Sequence, residues 1–140
     1  MRTGVAALVL AAGFLVPVSG TAVAAPGCYG SSCYGKDPQA MGCTDAETLD
    51  TIGDGGGIVV ELRHSYACKA AWVRYQNHHA MYGAVYIKSL STEGMAARKD
   101  LGAYIGEEGW TGMLSFDENV IGCSAVYSNN RWYTTCTRAF

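Results

Sequence analysis

The chain lacks several features that common functions depend on. It has 140 residues with 10 basic and 12 acidic side chains, so there is no excess of positive charge for nucleic acid or an anionic membrane. Its longest apolar stretch, residues 5–16, is shorter than the about 20 residues that a membrane-spanning helix requires. The sequence therefore predicts one domain with no nucleic-acid partner and no membrane span.

The first 25 residues have the composition of a secretory signal peptide. Met1-Arg2 supplies the positive start, and the apolar stretch follows it. Small residues at 22–25 then offer two sites that a signal peptidase accepts. We therefore expect residues 1–25 to be removed and residues 26–140 to form a single secreted, extracellular domain.

Large aliphatic side chains are scarce in residues 26–140. Only 18 of these 115 residues are Leu, Ile, Val or Phe, whereas 14 are Tyr, Trp or Phe. The range also contains six cysteines, at positions 28, 33, 43, 68, 123 and 136. Outside the cell an even set of cysteines is typical of a disulfide framework, and this spacing matches no common zinc module. The sequence predicts an aromatic core linked by disulfides, with no metal and no cofactor.

Hairpin geometry predicts the partner of the last two cysteines. Asn129 and Asn130 suit the two central positions of a type I′ turn, which require positive φ. If Ser128 pairs with Arg131 across that turn, Cys123 lies opposite Cys136 in a non-hydrogen-bonded pair. Their Cα atoms are then about 4.5 Å apart, within the range of a disulfide. In the same register Tyr127 and Trp132 stack on one face.

The other four cysteines allow more than one pairing. We favour Cys28–Cys33 with Cys43–Cys68. The alternative, Cys28–Cys43 with Cys33–Cys68, stays open because the spacing alone does not decide between the two.

Turn signals every 8–12 residues predict an antiparallel β fold. We expect strands at 58–63, 72–76, 82–89, 110–115, 120–127 and 131–137, with Val85 and Ile87 facing away from Tyr86. Thr44 and Glu47 form a capping box, which predicts a short helix that ends before Gly53. Residues 65–71 are compatible with a helical turn, and residues 93–100 have helical composition. The predicted fold class is mainly β (β-rich α+β), a small antiparallel barrel or sandwich stapled by disulfides, with one or two short helices.

Two segments carry a resemblance to a known family. CYGSSCYGKDPQAMGCTDAETL and VELRHSYACKAAWVRY resemble an uncharacterised actinobacterial family, domain of unknown function 2690. The matching positions are Cys28, Cys33, Gly35, Lys36, Asp37, Pro38, Cys43, Glu61, Leu62, Arg63, Ser65, Cys68, Ala70 and Trp72. The resemblance implies a secreted protein in this family and no particular activity.

The chain offers little that a catalytic site requires. A serine elbow and a phosphate loop are both missing, and His64 precedes Ser65 in a strand, where neighbours face opposite ways. His78 and His79 lie in a polar turn and point to opposite sides if extended. We therefore assign no catalytic residue. The alternative is a small secreted hydrolase that uses the loop carboxylates flanking Trp110, namely Glu107, Glu108, Asp117 and Glu118.

The surplus of aromatic residues favours recognition over catalysis. Tyr82, Tyr86 and Trp110 are the candidates for a binding surface, because Tyr and Trp combine an apolar ring with a polar group. We therefore predict a secreted, non-enzymatic binding module whose partner is an extracellular protein or a cell-envelope glycan. A protease inhibitor that presents the loop from Cys28 to Cys43 is one form of such a module. A cleft that gathers the loop carboxylates would favour the hydrolase instead.

Overall fold

The computed structural model describes residues 24–53, 57–92, 96–117 and 119–140. The predicted signal peptide covers residues 1–25, so nearly all of it lies outside the described part. The described residues form one 3₁₀ turn and nine strands: η1 Gly30–Cys33, β1 Glu47–Ile52, β2 Ile58–Ser65, β3 Ala70–Asn77, β4 Tyr82–Ser89, β5 Ala96–Asp100, β6 Glu107–Trp110, β7 Leu114–Ser115, β8 Val120–Ser128 and β9 Arg131–Cys136. The described part of the chain contains no helix that is long and apolar enough to cross a membrane.

The first sheet is built around the β2–β3 hairpin. Its strand order is β1-β2-β3-β6, with the short β7 also paired to β3, and every pair is antiparallel. The turn between β2 and β3 is tight, and Lys69 closes it with a φ of 47°. The Ser65 hydroxyl accepts the backbone N–H of Cys68 at 3.0 Å, as a helix cap would. The chain then leaves the turn into β3, so the helical turn predicted at residues 65–71 is a hairpin turn.

The second sheet, in the order β5-β4-β8-β9, confirms the predicted C-terminal hairpin. Asn129 and Asn130 have φ values of 49° and 61°, as a type I′ turn requires. Cys123 lies opposite Cys136, and the two are joined by a disulfide with a Cα–Cα distance of 4.1 Å. The other two bonds are Cys28–Cys33 and Cys43–Cys68, the favoured pairing.

The two sheets pack face to face as a sandwich rather than closing into a barrel. Alternation along the strands buries Val60, Leu62 and Val73 of the first sheet against Val85 and Ile87 of the second. All five side chains have no exposed surface. Gly122 lets the sheets approach, since a Cβ there would lie 2.8 Å from a methyl carbon of Val73. The core thus leaves the outer face of each sheet for other roles.

The predicted helices are the part of the sequence interpretation that is wrong. Glu47, the last residue of the capping box, begins β1 and pairs with His64 of β2. Residues 96–100 form the edge strand β5 despite their helical composition, because they pair with β4. The predicted strand at 110–115 is divided into β6 and β7. Among the described residues only η1 is helical, and it has four residues.

His64 is a buried base at one end of the first sheet. It is 2% exposed, stacks on Phe116 with ring centroids 3.8 Å apart, and its Nδ1 has no hydrogen-bond partner. Burial lowers the pKa of His64, and the negative charges of Glu47 and Asp45 offset part of that effect. The folded state therefore favours the neutral imidazole.

We expect the protein to lose stability as the pH falls below the ordinary pKa of histidine. The folded pKa of His64 is lowered, so its contribution is complete above about pH 6.5 and is lost as pH falls through the lowered folded value. Urea midpoints measured between pH 7.5 and 5 should fall for the wild type and change little for His64→Phe, which keeps the stacking. If the urea midpoint falls equally with pH in both proteins, the loss of stability does not come from His64.

Candidate ligand-binding groove

A groove of about 630 Å³ crosses the outer face of the first sheet. That volume is within the range of about 300–1,000 Å³ that is usual for ligand sites. Side chains of β2, β3 and β6 form its floor and one wall, and residues of the N-terminal segment between 38 and 46 form the opposite wall. Strand register places these floor side chains, because alternate residues of neighbouring strands meet on one face.

The floor of the groove contains the buried indole of Trp72. This side chain is 5% exposed and lies beside Arg63 across the β2–β3 pair. Among the described residues, the only sealed side-chain nitrogen or oxygen without a partner is His64 Nδ1. The indole N–H of Trp72 has no hydrogen-bond partner among the described residues, and it is not one of their sealed atoms. The groove is thus lined by an indole whose N–H is not used within the described part of the chain.

Trp110 forms a wall of the groove and is fixed by Asp37. Its indole N–H donates to the Asp37 carboxylate at 2.9 Å. The other carboxylate oxygen accepts the backbone N–H groups of Gln39 and Ala40 at 2.8 and 3.0 Å. Burial alone would raise the pKa of Asp37, but these three hydrogen bonds together lower it. Asp37 therefore joins the N-terminal segment to the indole wall as a carboxylate.

The N-terminal wall is also bound to the sheet through β2. Arg63 donates to the backbone oxygen of Ala46 at 2.9 Å and to the Thr48 hydroxyl at 2.7 Å. Asp45 accepts the Ser65 hydroxyl and the backbone N–H of Ala67. The disulfide Cys43–Cys68 fixes the same wall covalently. Residues that carry the family resemblance thus hold the groove together.

Charges on the groove face are paired across strands. Glu61 lies opposite Arg74 and forms an ion pair with it, while Arg63 is 4.0 Å from the same carboxylate. The hydrogen bond to Glu61 raises the pKa of Arg74, and burial offsets part of this. On the next rung Gln76 lies opposite Glu108. Donors and acceptors therefore alternate along the floor with little net charge.

The structure does not bring the loop carboxylates together. Glu107 and Glu108 are neighbours in β6 and therefore face opposite sides of the sheet. Glu107 is buried, whereas Glu108 is exposed at the groove. Asp117 is ion-paired with Lys69, and that hydrogen bond lowers the pKa of Asp117. Glu118 lies outside the described residues. Among the described loop carboxylates, Glu108 therefore lies at the groove, whereas Glu107 and Asp117 do not line it.

The candidate aromatic residues lie on two different faces. Tyr82 is exposed and Tyr86 is half-buried, both on the outer face of the second sheet. Tyr82 there adjoins Trp132, which in turn contacts Tyr127, at centroid distances of 6.2 and 5.3 Å. Trp110 lies on the outer face of the first sheet, so it does not join the two tyrosines.

The cysteine cluster has no thiolate to offer a metal. The sulfur atoms of Cys28, Cys33 and Cys68 lie within 4.8 Å of one another, but each belongs to a disulfide. His78 and His79 lie between β3 and β4, away from the buried His64.

The sequence interpretation missed four polar or aromatic residues of the floor. A signal for them exists in the alternation of β2 and β3. Once the two strands are joined by a tight turn, Arg63 must lie beside Trp72 and Glu61 beside Arg74, all on one face.

Comparison with known proteins places the chain in a family without assigning its activity. No curated protein and no solved structure matches it. The family described as "Protein of unknown function (DUF2690)" matches residues 31–125, which is more than half of the chain and includes most of the groove. The chain therefore belongs to the DUF2690 family of proteins of unknown function.

Proposed function

We propose that the protein is a secreted, non-enzymatic binding module that binds an extracellular target through the groove on its first sheet. The observation that carries this proposal is a groove of about 630 Å³ that is lined by two indoles, of which Trp110 is held in place by the Asp37 carboxylate. The indole N–H of Trp72 has no hydrogen-bond partner among the described residues, so a ligand that reached it would supply one.

Two further features support a binding role outside the cell. Three disulfides and no free cysteine in the described part of the chain suit an oxidising compartment. The groove walls are fixed by hydrogen bonds and a disulfide, so little ordering is needed when a ligand binds. The separated carboxylates give the hydrolase alternative no comparable support.

We expect the oxidised protein to be retained by purified cell-envelope material and Trp110→Ala to abolish that retention. The matched control is Trp132→Ala, which removes an exposed indole from the opposite sheet. Far-UV circular dichroism and a non-reducing peptide map are the controls that both variants must pass, by keeping the fold and the three disulfides. Retention that is equal in the two variants, or that is lost only in Trp132→Ala, would overturn the groove as the binding site.

A further inference from the structure

We propose that the ligand of the groove is an uncharged sugar chain. This inference rests on the proposed function, since it names the class of ligand that the same groove takes. Three properties of the groove argue for it: its charge balance, its combination of indoles with planar polar groups, and a floor with no free backbone groups.

The charge balance excludes a strongly charged ligand. The two guanidiniums of the floor share one carboxylate, because Arg74 pairs with Glu61 and Arg63 lies 4.0 Å from the same group. Glu108 and Asp37 add negative charge at the two sides of the indole wall. A phosphate or carboxylate ligand would meet compensated arginines and additional acids, so the groove has no net attraction for it.

The side chains match the two kinds of surface that a sugar ring presents. A pyranose has an apolar face of C–H groups and a rim of hydroxyls that both donate and accept. The half-buried indole of Trp110 supplies flat apolar surface, and the buried indole of Trp72 lines the groove beside it. Arg74 and Gln76 add donors, and Gln76 and Glu108 add acceptors, on adjacent rungs of the strand ladder.

The floor offers no backbone groups to an extended peptide. β3 is paired on one side with β2 and on the other with β6, so its N–H and C=O groups are used within the sheet. A peptide needs partners for its own backbone, which strand addition at a free edge would provide. Contacts to β3 must therefore come from its side chains, which suits hydroxyl groups better than peptide groups.

The experiment uses the full oxidised chain with Trp132→Phe, which leaves Trp72 and Trp110 as the only tryptophans. The probes are tetrasaccharides of β-1,4-glucose, β-1,4-N-acetylglucosamine and α-1,4-glucose, with α-1,4-galacturonate as the acidic counterpart. We expect saturable quenching or a shift of tryptophan fluorescence with at least one neutral tetrasaccharide. Binding of the acidic one should be at least tenfold weaker. Binding of the neutral one should not depend on salt, since no ion pair forms.

Variants then locate the sugar, with affinity measured by calorimetry. Trp110→Ala should weaken binding at least tenfold and Gln76→Ala roughly fivefold, the effect of one hydrogen bond. Tighter binding of the galacturonate, failure of all three neutral probes, or unchanged affinity in Trp110→Ala would each overturn the inference. Envelope retention that requires Trp110 but is not released by any neutral tetrasaccharide overturns the sugar alone, and identifies a protein or charged target for the same groove. If neither envelope retention through Trp110 nor binding of a neutral tetrasaccharide is observed, the proposed function is overturned as well.

Discussion

Replacing Cys43 and Cys68 together with alanine should destabilise the protein by about 3 kcal/mol, the effect expected for a disulfide that closes a loop of this length. The bond spans 25 residues and is buried in the cluster that includes Trp72 and Met113. It also fixes the wall of the groove formed by residues 38–46. We therefore expect a lower urea midpoint and, at a pH and temperature where the variant is still folded, weaker ligand binding.

The Cys123–Cys136 bond is the matched control. It joins β8 to β9 in the second sheet, where the hydrogen-bonded hairpin already holds the strands, and it spans 13 residues. Its double alanine variant should lose stability by a similar order, about 3 kcal/mol, and keep full affinity. Equal loss of binding in both variants would show that global stability, and not the position of the wall, controls the groove.

Glu107→Ala should lower the free energy of unfolding by about 2 kcal/mol, because the buried Tyr75 hydroxyl and the part-buried backbone N–H of Gly102 would lose their acceptor. The carboxylate accepts the Tyr75 hydroxyl at 3.1 Å and the backbone N–H of Gly102 at 2.8 and 2.9 Å. Asn77 also reaches it at 3.4 Å but donates to Met81 as well. Glu107 thus acts as the anchor of the loop before β6, and its loss is expected to lower the urea midpoint.

Glu108→Ala is the matched control for Glu107→Ala, because Glu108 is the exposed neighbour of Glu107 and lies at the groove. It should leave stability nearly unchanged.

Burial, the hydrogen bond to Glu107 and its charge raise the pKa of Tyr75 to about 12. The stability that Tyr75 contributes is therefore complete below about pH 10 and is lost as pH rises through about 12. Glu107→Gln should lower that pKa in an absorbance titration of the phenol, and an unchanged value would contradict the contact.

The hairpins could be predicted from the sequence because their information is local. Two asparagines fix the turn between β8 and β9, and the turn fixes the register that brings Cys123 to Cys136. The same holds for Val85 and Ile87, whose alternation with Tyr86 points them into the core. These features depend on neighbours that lie close in sequence.

The first strand and the groove could not be predicted in the same way. Thr44 and Glu47 have the spacing of a helix cap, but Asp45 accepts the Ser65 hydroxyl 20 residues away and β1 pairs with β2 instead. Tertiary pairing overrides local propensity at such positions. Trp110 reaches Asp37 across 73 residues, so no local pattern brings the two walls together. The Cys43–Cys68 disulfide joins the N-terminal wall to the sheet, and the sequence left the pairing of these two cysteines open.

Because β3 is hydrogen-bonded on both sides, the side chains that face the groove can be exchanged separately from the fold. The backbone hydrogen bonds of the sheet do not involve the side chains of Arg74, Gln76 and Glu108. Exchanging exposed side chains on such strands usually alters stability by less than about 0.5 kcal/mol. A library randomised at these three positions would therefore vary the groove surface on one unchanged framework.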